Sequence, residues 1–155
     1  MNKRGVNCLI LLIVSLSVAP CWAVKEIMIF NAKATYPQQA STEIGLILGK
    51  SWGTTPGSWS AGSRGMSISV EPGLSGTKLH IGYGVQAAGV ASFHSARIAA
   101  TYLWITDEVS HLDDGDEYAG VEVTGSVFLL CGSFGILRNT SIDEYIATAG
   151  IGLGW

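Results

Sequence analysis

Beyond residue 23 the chain has no long hydrophobic run, because Gly, Ser or a charged residue interrupts every apolar stretch within a few positions. That excludes a membrane-spanning helix, which needs about 20 apolar residues, but not a spanning strand, which needs about 9 to 11. Basic residues are scarce too. Of nine Lys and Arg, Lys3 and Arg4 fall in the first 23 residues, leaving seven against twelve acids, and a chain of that sign has no footprint for nucleic acid. Cysteine is almost missing: Cys8 and Cys21 also belong to the first segment, so Cys131 stands alone and an internal disulfide is excluded. No complete catalytic motif is found, and no cofactor is expected.

What is present begins with the N-terminus. Lys3 and Arg4 precede an eleven-residue apolar run from Cys8 to Val18, and Cys21-Trp22-Ala23 closes the segment with small residues two apart. This predicts a secretory signal cleaved after Ala23, since the run is too short for an anchor. Cys21 stands where a lipidated cysteine would, but Pro20 before it does not match the small residue that a lipobox requires. Residues 24–155 then form one domain of 132 residues.

In that domain 19 of the chain's 20 glycines are scattered among short alternating segments instead of clustering as a linker. Period-two alternation predicts strands at 43–52, 63–71, 76–85, 94–105, 117–128, 130–138 and 144–155. Leu79, Ile81, Tyr83 and Val85 oppose Lys78, His80, Gly82 and Gly84; Ile98, Ala100, Tyr102 and Trp104 oppose Arg97, Ala99 and Thr101. Val121, Val123 and Val127 oppose Glu122, Thr124 and Ser126 in the same way. Such faces suit either a barrel or a soluble β-sandwich. Trp52, Tyr102, Trp104, Tyr145 and Trp155 lie near strand ends, as the girdles of a membrane barrel do, which favours the barrel.

The last eight residues, Thr148 to Trp155, place a polar residue at Thr148, glycine at Gly150, a hydrophobic residue at Leu153 and an aromatic terminus at Trp155. They resemble the C-terminal β-signal of bacterial outer-membrane β-barrels, and the chain as a whole resembles the small OmpX-like and OmpA-like class. The resemblance implies an all-β fold: a closed antiparallel transmembrane barrel, an up-and-down meander of eight strands, with recognition of the final strand by the barrel-assembly machinery. Single-chain bacterial barrels use even strand numbers, so the eighth strand is expected in Val24 to Thr35. Counting back from Trp155 places the turn near Phe128 to Leu130 in the periplasm and the segments 105–116 and 138–143 outside, beside lipopolysaccharide.

Four groups of residues could carry chemistry. Arg97 and Glu122 are expected to pair inside the barrel, near Lys78 and His80, as part of a polar filling. His94 and Ser95, with Glu122 as a candidate acid, invite comparison with lipid A deacylases, which resemble this chain in length and end signal. In that family His and Ser stand two residues apart, whereas adjacent residues on a strand point to opposite faces. The stretch Asp107 to Glu117 has six carboxylates in eleven residues; Asp113, Asp114, Asp116 and Glu117 are its candidates for a hard cation. Cys131 is expected to face inward, opposite Gly132, Phe134 and Ile136.

The sequence therefore predicts a monomeric outer-membrane barrel with a structural, envelope-integrity or surface-contact role, whose partners are membrane lipid and lipopolysaccharide. A lipid A-modifying enzyme and a soluble periplasmic β-sandwich are the alternatives.

Overall fold

The computed structural model describes residues 25–52, 60–89, 93–109 and 112–154. The predicted signal segment, Ser110, His111 and Trp155 lie outside them. Eight antiparallel strands follow one another as β1 (Lys25–Tyr36), β2 (Gln39–Trp52), β3 (Ser60–Pro72), β4 (Gly76–Gly89), β5 (Phe93–Ile105), β6 (Glu117–Val127), β7 (Leu130–Asn139) and β8 (Tyr145–Gly154). Each pairs with the next, and β1 bonds to β8, so the meander closes into a ring. This single closed sheet replaces the two facing sheets that a β-sandwich requires. The expected eighth strand is β1. The predicted 63–71 strand begins three residues earlier, at Ser60, and the 43–52 strand begins at Gln39.

The register fixes the shape. From Glu26 the cross-strand partners run Leu48, Met66, Tyr83, Ile98, Val123, Phe134 and Ala149, and return to β1 at Tyr36, ten residues above the start. A stagger of that size over eight strands tilts them by about 40° from the axis, at about 3.3 Å per residue and 4.8 Å between strands. A ten-residue strand then rises about 25 Å along the axis, the height of the apolar band on outer-membrane barrels.

Two residues show what such curvature demands of the backbone. Gly49 and Gly65 face each other across β2 and β3. A methyl built on Gly49 would overlap the Arg64 carbonyl oxygen and stand 2.6 Å from the Gly65 Cα, so only glycine lets the strands bend together here.

The upper end of the barrel carries the connections 37–38, 73–75, 106–116 and 140–144, and the lower end carries the turn Phe128-Leu129. The upper end is packed with apolar side chains: Leu103, Ile105, Leu112, Tyr118, Leu137 and Ile146 form one buried cluster. Leu112 enters it because the 106–116 connection folds back, with Ile105 N–H donating to Asp116 O at 2.9 Å and Leu112 N–H to Val109 O at 2.9 Å. Along β5 the inward positions turn from polar to apolar above Thr101, at Leu103 and Ile105.

Candidate functional site

The site-bearing region is the interior below that cluster. Alternation turns Asn31, Lys33, Glu43, Ser67, Ser69, Glu71, Lys78, His80, Arg97, Thr101, Glu122, Thr124 and Thr148 inward, and all are buried. An isolated charge there would cost several kcal/mol, so each must find a partner. Three cations, Lys33, Lys78 and Arg97, meet three carboxylates, Glu43, Glu71 and Glu122.

They meet in two groups. In the larger, Lys33 Nζ lies 3.1 Å from Glu43 Oε2 and 2.5 Å from Glu71 Oε2. Arg97 reaches from β5 to Glu43 on β2 and donates to Ser69 Oγ at 2.7 Å and to Thr124 Oγ1 at 3.3 Å. His80 stands between Thr101 Oγ1 at 3.0 Å and Glu71 Oε2 at 3.3 Å. Asn31 and Ser69 donate to the remaining Glu43 lone pairs at 2.9 and 2.6 Å, and Ser41 donates to Glu71 at 2.7 Å. In the smaller group Glu122 Oε2 accepts from Lys78 Nζ at 2.8 Å and from Thr148 Oγ1 at 3.0 Å.

The expected pairing of Arg97 with Glu122 is therefore corrected. Glu122 lies opposite Ala99, and Arg97 opposite Thr124, and each long side chain bonds across the barrel to a different strand. Lys78, His80, Arg97 and Glu122 all point inward, but Lys33, Glu43 and Glu71 do as much of the pairing. A signal for two of these existed in the sequence: Glu43 shares parity with Ser41, and Glu71 with Ser67 and Ser69, opposite Ile44, Met66 and Ile68. β1 alternates less clearly, which left Lys33 unread.

The weaker candidates are not assembled. His94 is exposed and tilts against Phe128, with ring centroids 6.3 Å apart, while Ser95 turns inward to Ser126 Oγ at 2.7 Å. Glu122 is held by Lys78 and Thr148 within the barrel, so these three form no nucleophile, base and orienting acid. In the acidic stretch Asp116 Oδ2 accepts from Asp113 N–H at 3.1 Å and from Tyr118 O–H at 3.3 Å. Asp113, Asp114 and Glu117 are exposed. Among the described residues the close grouping of ligating side chains is Glu43, Glu71 and His80 instead, and Lys33 and Arg97 already neutralise it. Cys131 is buried with a free thiol.

Of the C-terminal residues, Thr148 is fully buried on Glu122, Gly150 packs against Thr35 and Ser133, and Leu153 is exposed. Asn139, buried at the end of β7, accepts from Ser141 N–H at 2.8 Å and Ile142 N–H at 3.2 Å, which ties the last connection.

Among the described residues, the charged and hydroxyl side chains named above occupy the interior. Beneath Arg97 a cavity of about 20 Å³, bounded by Ile29, Ile47, Gln86 and Ser95, has room for a single water molecule. The outer surface is the reverse of the inner one: Met66, Tyr83, Ile98, Val123, Phe134 and Ile136 are each at least half exposed. Comparison with known protein families, characterised proteins and solved structures finds no match.

Proposed function

We propose that the chain is a small outer-membrane β-barrel that acts as a closed, non-conducting scaffold, displaying its acidic 106–116 connection and its 140–144 connection at the cell surface. The observation that carries this reading is the inversion of polarity: charged and hydroxyl side chains fill the inside, while aliphatic and aromatic side chains cover the outside. In water that arrangement would expose its apolar surface and bury its charges. In a bilayer both faces are favourable, and ring closure leaves no unpaired strand edge toward lipid. Tyr36, Tyr102, Trp104 and Tyr145, all exposed near the upper strand ends, suit the aromatic girdle at the outer interface.

The filled interior supports a structural or surface-contact role over transport. Lipid and lipopolysaccharide surround such a barrel, and the Thr148–Trp155 signal would hand its last strand to the assembly machinery. Membrane fractionation with a heat-modifiability gel tests the reading. The full chain should sediment with outer membranes and migrate faster unheated than boiled, and removal of Trp155 should lower the inserted amount. Recovery as a soluble periplasmic protein would overturn it.

A further inference from the structure

The charges left over from the interior divide by end. Eight acids and no Lys or Arg occupy the 106–117 and 140–144 stretches at the upper end, and the neighbouring Arg138 is paired with Asp143 at 3.2 Å. At the lower end Lys50 on β2 and Arg64 on β3 are direct cross-strand partners, and both are exposed. Like charges set opposite each other on one face repel. Among the described side chains, which do not include those of Lys25 and Glu26, neither has an ion-pair or hydrogen-bonding partner. Lys25 and Glu26 open β1 at the same end.

The neighbours explain what the pair could hold. Leu48 and Met66 precede the two cations on the same outer face, so the apolar band ends where Lys50 and Arg64 begin. Next along β2, Trp52 lies across Gly62, which has no side chain to displace the ring: a Cβ there would collide with it. A cation pair at the lower margin of an apolar band, with an indole beside it, matches a lipid whose phosphate meets the charges and whose chains run up along the strands.

We infer that Lys50 and Arg64, flanked by Trp52, form a binding site for the phosphate of an anionic phospholipid in the leaflet opposite the acidic connections. The inference rests on the membrane reading above. Arg64 offers a planar fork of donors to the two non-ester phosphate oxygens, Lys50 adds a compact charge beside one of them, and the anion reduces the repulsion between the two cations.

The test uses the full chain folded in zwitterionic detergent, presented with phosphatidylglycerol, phosphatidylcholine or inorganic phosphate and read by native mass spectrometry. Phosphatidylglycerol should be retained several-fold over phosphatidylcholine, the K50Q/R64Q variant should bind the two alike, and K50R/R64K should keep the preference. Heat-modifiability confirms that each variant is folded; should the double variant fail to fold, K50Q and R64Q alone must each lower the preference. An unchanged preference in these variants overturns the site, and displacement of the lipid by millimolar inorganic phosphate overturns the headgroup assignment. A wild-type chain that never shows heat-modifiability overturns the membrane reading and the site together, whereas a folded, membrane-inserted chain without the preference overturns the site alone.

Discussion

Lys33 and Glu71 meet over an intervening strand: the ammonium on β1 passes β2 and stops 2.5 Å from a carboxylate on β3. The same Nζ touches Glu43 on β2, so one cation holds two acids inside a space that excludes solvent. Lys33→Met should cost about 3 to 5 kcal/mol, the usual penalty for leaving a buried charge uncompensated. Adding Glu71→Gln should recover part of that loss in a urea titration of the refolded barrel. A double variant no more stable than the single one would show that Lys33 is not the hub of the group.

Arg97 belongs to Glu43. A double-mutant cycle of Arg97→Met with Glu43→Gln should give an interaction energy of about 0.5 to 3 kcal/mol, and the cycle of Arg97→Met with Glu122→Gln should be additive within about 0.5 kcal/mol. The opposite pattern would restore the Arg97–Glu122 pair.

Val123 and Thr124 are consecutive but lie on opposite sides of the wall. Val123 is 53% exposed on the outer face, and Thr124 is buried beneath the Arg97 guanidinium. Val123→Arg should destabilise by about 2 to 4 kcal/mol if it enters the bilayer midplane. Thr124→Ser, which keeps the acceptor hydroxyl, should be tolerated. Equal costs in lipid vesicles would contradict the assigned faces.

Glycines in the wall are not equivalent. Gly49→Ala forces a methyl into the β3 backbone and should cost at least the roughly 1 to 3 kcal/mol typical of overpacking, with slower or incomplete refolding. At Gly125 a methyl would meet only the Ser95 carbonyl oxygen, at 3.6 Å, so Gly125→Ala should fold with wild-type yield. The comparison is read from the folded fraction on an unheated gel.

Leu112 is the part of the 106–116 connection that enters the upper cluster. Leu112→Ala should lower stability by about 2 to 5 kcal/mol through the cavity it leaves, and cleavage of the connection by added protease should become faster. Unchanged protection would mean that the connection is held by its backbone bonds alone.

The two faces of the wall are legible in the sequence. Strict alternation in β4, β5 and β6 tells which side chains share a face, because successive residues on a strand point to opposite sides. It therefore placed Lys78, His80, Arg97 and Glu122 on one side and Ile81, Ile98 and Val123 on the other. It also separated His94 from Ser95. The apolar cluster was less visible: Leu103 and Ile105 share the parity of Arg97 and Thr101, and whether an inward position is polar or apolar depends on its height in the barrel. That height follows from the stagger of the whole ring, which no single strand encodes.

The sequence by itself determined the two faces of the wall and the balance of charge, since both depend on residue type and parity alone. Only the tertiary structure decided which charges meet. A shift of two residues between neighbouring strands preserves every inward and outward assignment, so alternation cannot choose a register. Closing eight strands with a ten-residue stagger chooses it. The narrow ring then lets Arg97 on β5 reach Glu43 on β2, and Lys78 on β4 reach Glu122 on β6. Partners across an enclosed interior are set by the diameter and tilt of the barrel, and these exist only once the last strand has joined the first.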